Sequence, residues 1–473
     1  MSYARIFLVI LAGLMWWPLV GAAQSAPRDS RKLYAEFCAA CHGPALGGGS
    51  GPSLLGEAWK YGGDEAALAA SIREGRVPGG MPAFAPGLSE MEIRGLVVYI
   101  REQAGRAAGH KTPPPRPGPG AAAASRLHAY RIETVAAGLA EPWSVAFLPD
   151  GRLLVTEKRG ALRVVSGGRP GEPVAGVPRV DTGGQAGLFD VVPHPDYARN
   201  GWIYLAFAEP DKNAQGRAVS MTTVVRGRLK DNAWTDQQVI FRAPAGTFRP
   251  AGGVHFGGRL AFDRAGYLFF SIGDRGNQGN AQNLALPNGK IHRVHDDGRV
   301  PADNPFVAAP GASPTLWSYG HRNPQGLRFD PVNGRLWEHE HGPRGGDELN
   351  LIKRGVNYGW PVATYGMNYN GTPITDVTGR PDFEPPVAYW IPSIAPCGMA
   401  FYTGDRFPKW KNHLFIASLA AQELRRLELK DGNVVDQEVV FKGLGRLRDV
   451  ADGPDGCLHL LFPDRIARLV PAE

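Results

Sequence analysis

Cysteine is scarce in this chain. Four occur in 473 residues, at positions 38, 41, 397 and 457, far too few for a disulfide-stapled scaffold. Long apolar runs are also missing beyond the first twenty residues, so nothing after that point can span a bilayer as a helix. Charge of one sign is nowhere concentrated: the formal net charge is +7, yet residues 26–108 carry nine Lys/Arg against nine Asp/Glu. A nucleic-acid binder gathers its basic residues on one segment or face, so no nucleic-acid partner is expected. Glycine (62) and proline (41) are the residues in excess, pointing to many turns between short strands.

The one apolar run is N-terminal. Arg5 precedes "IFLVILAGLMWWPLV" (Ile6 to Val20), and "GAAQ" follows with small residues near Ala23. That order is a secretory signal peptide, expected over residues 1–23. At fifteen residues the run also approaches the roughly 18 of a membrane anchor, but the small residues favour cleavage. The expectation is an exported, periplasmic protein with no membrane span in the mature chain.

Three further regions follow. Residues 26–108 read as a small helical unit. "DEAALAASIREG" has Asp64 as N-cap and Gly75 as stop, and "LSEMEIRGLVVYIREQA" opens on Ser89 with apolar residues at helical spacing. Residues 109–125, "GHKTPPPRPGPGAAAAS", lose all periodicity and read as a linker. From 126 to 473 one pattern recurs, a polar turn, a Gly or Asn, then an apolar strand. It appears at Gly151, Gly201, Gly266, Gly334, Asn412 and Gly456. Six such turns at intervals of roughly forty to eighty residues predict an all-β six-bladed β-propeller.

"CAACH", Cys38 to His42, is the most specific signal. In an exported chain CxxCH reads as covalent attachment of haem c, both thiols holding the porphyrin edge and His42 ligating the iron. A disulfide between the two is the plain alternative, while zinc lacks a second ligand pair. Met81, in the glycine-rich "VPGGMPAF", is the expected second iron ligand; Met91 lies on an amphipathic helix and reads as core. The order of helix, CxxCH, glycine loops, Met-Pro and C-terminal helix resembles the class I cytochrome c family.

The large region holds several polar clusters: His255 in "AGGVHFGG", Asp274 in "SIGDRG", Arg322 and Asn323 in "GHRNP", Asp347 and Glu348 in "HGPRGGDELN", and Arg446 and Arg448 in "LGRLRDV". Each has an ordinary structural reading. A histidine among glycines commonly just pairs within the fold; Asp274 suits a turn cap, and the two arginines suit blade-edge ion pairs. The run His339-Glu340-His341 looks like a metal box, but strand alternation aims Glu340 away from both histidines.

Taken together, "EPWSVAFLPDGRLLVTEKRGALRVV", "GQAGLFDVVPHPDY", "GHRNPQGLRFDP", "EHGPRGGDELNLIKRGVNYGWP" and "YWIPSIAPCGMAFYTG" resemble the soluble PQQ-dependent sugar dehydrogenases, the glucose/sorbosone dehydrogenase family, from Gly138 to Val470. The resemblance implies a six-bladed propeller that oxidises an aldose at its anomeric carbon. It implies His255 as general base, Asp274 as its orienting carboxylate, and Arg322 at the quinone oxygen. Gln185, Asn323, Arg446 and Arg448 would hold PQQ. The carbonyls of Gly342 and Pro343 would bind a Ca²⁺ at the cofactor, with Glu348 and the Tyr358 carbonyl at a second Ca²⁺. One departure stands out: Ala420 occupies the position of a PQQ-contacting lysine, and the region near "VAYWIPSIAP" also differs. The expected function is sugar oxidation, with electrons leaving through the fused haem to a downstream respiratory acceptor. The competing readings are a metal-dependent propeller lactonase and a non-catalytic sugar-binding electron-transfer module.

Overall fold

The computed structural model describes residues 27–56, 59–111 and 113–472; the expected signal peptide lies outside them. Among the described residues no helix is long and apolar enough to cross a membrane.

The N-terminal unit is helical. Helix α1 (Ser30–Phe37) starts on Asp29, whose carboxylate accepts from the Arg31 and Lys32 amides, and a short α2 (Ala39–His42) carries the histidine of the CxxCH. Helix α3 (Glu65–Glu74) is capped by Asp64 and ended by Gly75 at φ +73°, as expected. Helix α4 (Glu90–Lys111) opens on a capping box: Ser89 Oγ receives the Glu92 amide at 3.3 Å while the Glu92 carboxylate receives the Ser89 amide at 2.9 Å. It runs three residues past the expected end of the unit. Residues 107 and 108 are alanines, good helix formers, and the first proline comes only at 113. The linker is shortened from its other end too, since Ala123–Ala124 pairs with Ala129 and Tyr130 as a two-residue strand.

Six antiparallel sheets make up the rest. The first strands of the blades are Pro142–Phe147, Leu188–Pro193, Leu260–Phe262, Pro324–Phe329, Pro396–Phe401 and Asp449–Asp452, and each touches the next around a closed ring. All six turns marked in the sequence join the first strand of a blade to its second. Each turn residue has the left-handed backbone that glycine and asparagine tolerate, from +64° at Asn412 to +84° at Gly151 and Gly266. The last blade is completed from the other end of the chain: Ala129–Ala137 pairs with Arg465–Pro471. Apolar seams fill the space between blades, among them one built on Trp143, Phe189, Phe256 and Phe270 and one on Tyr130, Trp410, Phe415 and Phe462.

This geometry positions the site. Loops before each first strand and after each second strand emerge on one face of the ring. The opposite end of the channel holds a cavity of about 450 Å³, lined by all six blades and including Arg328 and Asp452.

Replacing the fully buried Phe270 by alanine is expected to cost about 3–5 kcal/mol of propeller stability, read as a lower denaturant midpoint with an unchanged haem-domain transition.

Candidate functional site

His255 and Asp274 meet because they flank one hairpin, the first just before Leu260–Phe262 and the second just after Leu268–Ile272. His255 Nδ1 lies 2.7 Å from Asp274 Oδ1. The second Asp274 oxygen accepts from Trp360 Nε1 at 2.8 Å, and the Gly276 amide donates to Oδ1 at 2.7 Å. Burial opposes the charge on Asp274, but His255 and the surrounding donors outweigh it and hold the carboxyl below its usual range. Burial pushes the His255 imidazole down, opposed by Asp274 and aided by Arg322. The ring is therefore neutral at neutral pH, with Nδ1 tied to the carboxylate and Nε2 left to act as a base.

His255 also stands at φ +55°, a backbone state that costs a non-glycine residue roughly 1–3 kcal/mol. It is held there. Its amide donates to Gln185 Oε1 at 2.8 Å, and Gly273 lies so close that a Cβ would sit 2.3 Å from the His255 carbonyl oxygen.

From this pair a connected network crosses the face. The Asp274 amide donates to the Arg322 carbonyl at 2.8 Å. Arg322 Nη1 donates to the carbonyls of His341 and Gly342 at 3.0 and 2.7 Å, and its guanidinium lies 5.4 Å from the Trp360 ring. Asn323 Oδ1 accepts from the Gly257 amide and from Gln325, which in turn touches Cys397. Arg448 Nη1 reaches the Cys397 sulfur at 3.3 Å. Arg446 is exposed and Ala420 is exposed. Cys397 and Cys457 are both buried and unpaired, which answers a question the sequence leaves open.

The residues fit an oxygen-rich, anionic planar group. Arg322 and Arg448 supply cations, and Arg322 Nε is buried without a partner; among the described residues, exposed Arg446 makes no contact with this network. The Gly342–Pro343 turn fits a hard cation, which takes carbonyl oxygens. A Cβ on Gly342 would sit 2.1 Å from the Gly346 oxygen, so only glycine makes this bend. The Gly342 carbonyl accepts from Arg322, and the Ser393 hydroxyl lies 3.1 Å from the Pro343 carbonyl.

Glu348 borders a second, buried group. It sits opposite Glu340 in the fourth blade, and Glu338 opposite Asn350. His321, Glu338 and Glu340 bring ligand atoms within 4.8 Å of one another, and Tyr358 stacks on His321 with centroids 4.7 Å apart. His321 Nδ1 and Glu338 Oε1 have no hydrogen-bond partner. Burial raises Glu348 to about 8, and burial with mutual repulsion lifts Glu340 well above normal. A cation would relieve all of these at once. The sequence reading missed His321, Glu338 and Glu340, although strand alternation had already set Glu340 apart from its histidine neighbours. Trp360 was missed as well.

In the helical unit His42 is nearly buried, with Nδ1 2.8 Å from the Pro52 carbonyl oxygen. That contact leaves Nε2 for a metal. Met81, Cys38, Leu54, Trp59 and Phe84 are partly buried and pack against one apolar cluster, which puts Met81 and Cys38 in the same apolar surroundings.

Both parts of the chain match known families. The profile of the Glucose / Sorbosone dehydrogenase family matches residues 139–470, and that of Cytochrome C oxidase, cbb3-type, subunit III matches residues 25–100. An aldose sugar dehydrogenase of Escherichia coli is 41% identical over 347 residues, 72% of this chain and 91% of that protein. The PQQ-bound aldose sugar dehydrogenase of Streptomyces coelicolor superposes with a TM-score of 0.58 at 31% identity, covering 72% of this chain and 98% of that one. A FixP subunit of a cbb3-type cytochrome c oxidase from Bradyrhizobium diazoefficiens is 40% identical over 80 residues, 16% of this chain and 26% of that protein.

The enclosed carboxylates have a pH signature. Glu348 holds its proton to about pH 8 in the folded chain but only to about 4.3 unfolded. The folded state therefore binds more protons between those values, and stability falls as pH rises through that window. Chelator-treated protein should melt at progressively lower temperature from pH 5 to 8. Added Ca²⁺ or Glu348→Gln should flatten that slope in scanning calorimetry.

Proposed function

The chain belongs to the glucose/sorbosone dehydrogenase family, is an oxidoreductase and carries a cytochrome c domain, and we propose that it oxidises an aldose, or a related aldehyde-level sugar, at the anomeric carbon and sends the electrons out through its own haem. The observation that carries this reading is the His255–Asp274 pair, set beside Arg322 and the Gly342–Pro343 carbonyls in a chain that also has a haem attachment motif.

His255 Nε2 takes the proton of the anomeric hydroxyl as the C1–H bond yields its hydride. Asp274 fixes the tautomer and steadies the imidazolium that forms. Trp360 and Gly276 hold Asp274 charged for that purpose. PQQ, when bound, supplies the C5 carbonyl that receives the hydride. Arg322 is preorganised to meet negative charge developing on the quinone oxygen. Gln185, Asn323, Arg446 and Arg448 would hold the cofactor, the arginine forks matching its carboxylates. Gly342 and Pro343 offer their carbonyls to the Ca²⁺ beside it. Glu348 and the Tyr358 carbonyl, joined by His321, Glu338 and Glu340, would hold the second. Cys38 and Cys41 would anchor haem c, and His42 and Met81 would hold its iron. Export to the periplasm and delivery of electrons to a respiratory acceptor complete the reading.

Glu338, Glu340 and His321, the carboxylate-rich cluster that a lactonase would need, are all buried, which leaves a hydrolytic substrate no access to them.

Purified protein given PQQ, Ca²⁺ and a panel of sugars should show the reduced-haem spectrum; a panel with no response overturns the reading. His255→Ala should slow sugar-driven reduction by about 10²–10⁴-fold while dithionite still reduces the haem. Ala420→Lys should tighten PQQ binding roughly tenfold, the scale of one hydrogen bond to a charged group, in equilibrium dialysis.

A further inference from the structure

The helical unit is not tethered loosely beside the propeller. Met367 and Ile391, both propeller residues, pack into the same apolar cluster as Leu96, Val98 and Tyr99 of α4. Ser30, fully buried at the start of α1, places its amide and hydroxyl 2.9 and 2.8 Å from the Gly371 carbonyl oxygen. Arg94 joins Glu65 at 2.8 Å and donates to the Tyr365 carbonyl at 2.9 Å. Gly105 lies against Ile391 and Pro392, where a Cβ would sit 2.6 Å from a Pro392 ring carbon. The linker continues the contact, since the Lys442 amide donates to the Pro115 carbonyl at 2.9 Å.

One of these contacts falls on the cofactor loop. Glu102 of α4, nearly buried, takes the Arg344 guanidinium with Nη2 at 2.7 Å and Nε at 3.1 Å. Arg344 directly follows Pro343. The next residue, Gly345 at φ +80°, is flanked by Val98 of α4 and Ile391. The inner side of the same loop is tied down by Asp347, which accepts from the amides of Gly342, Ile394 and Ala395 at 2.7–2.9 Å. Ser393 Oγ receives the Gly345 amide at 3.1 Å. Residues 342–346 are thus clamped between the propeller on one side and α4 on the other.

We propose that the haem domain is a structural wall of the PQQ and Ca²⁺ site, with Glu102 and Arg344 as positioning residues that hold the Gly342–Gly346 loop in its cofactor-binding shape. This rests on the PQQ reading above. Its consequence is linkage: docking of the haem domain strengthens cofactor binding, and cofactor binding strengthens docking by the same factor. The PQQ site and the haem then stay in one rigid frame rather than meeting through a swinging tether.

The test uses the chelator-treated full-length haem protein, with PQQ and Ca²⁺ as probes. Glu102→Gln and Arg344→Gln should each weaken PQQ binding about tenfold in equilibrium dialysis, the double variant no further than either single one. The exchanged pair Glu102→Arg with Arg344→Glu should recover most of the loss. Arg73→Gln, which breaks an exposed pair with Glu90 elsewhere on the haem domain, should leave PQQ binding unchanged. In wild type, PQQ with Ca²⁺ should slow proteolytic cleavage within residues 113–122, and the two single variants should lose that protection. Haem absorbance and far-ultraviolet circular dichroism report folding, and Arg344→Gln, at the more exposed partner, carries the test if Glu102→Gln does not fold. Wild-type binding with unchanged affinity in both variants overturns the linkage alone. No PQQ binding by wild type overturns the linkage together with the reading on which it rests.

Discussion

The closure of the propeller rests on one pairing, the strand Ala129–Ala137 laid along Arg465–Pro471 at the far end of the sequence. Until that pair forms, the sixth blade lacks its outer strand and the ring has open edges. Bringing together segments more than three hundred residues apart carries a loop-closure cost that grows only slowly with length, and the apolar seam around Tyr130, Trp410 and Leu469 offsets it. With the ring shut, every blade sends its first-strand entry and second-strand exit to the same face. His255, Asp274, Arg322, Gly342 and Arg448, spread over nearly two hundred residues of chain, become neighbours for that reason.

Two electrostatic environments follow, and they differ in kind. On the open face cations dominate, and polar groups are held by the backbone in strained but over-determined positions, as at His255. Such a surface is preorganised for an anionic group and for charge that develops during reaction. At the fourth blade, Glu338 and Glu340 share an enclosed space with His321, which burial holds near a pKa of about 3, and Glu348 sits opposite Glu340. That arrangement is unfavourable alone and becomes favourable around a cation. The two are joined through Glu340, which accepts the Arg322 amide at 2.6 Å, so the enclosed site supports the arginine of the open one.

Much of the architecture is legible in the chain itself because its signals are local. A left-handed turn needs glycine or asparagine, and six such turns counted the blades correctly. Asp64, Ser89 and Gly75 act on amides within a turn of themselves, so the helix ends were readable. The end of α4 was misjudged because the proline-rich stretch suggested an earlier stop than Pro113 enforces. The partners of the site were harder. Trp360 supports Asp274 from 86 residues away, and no local rule predicts that. The carboxylate cluster was half visible, since period-two alternation places Glu338 and Glu340 on one face, but His321 joins them only across strands.

The sequence by itself determined the two-part organisation, the haem motif and the number of blades, because turn chemistry, caps and CxxCH act over a few residues. Only the tertiary structure decided that Cys397 and Cys457 stay apart, that Glu338, Glu340 and His321 share one enclosed space, and that α4 rests on the loop bearing Gly342 and Pro343. Those facts depend on which surfaces meet when the ring closes and the helical unit docks. That is settled by packing and desolvation over the whole molecule.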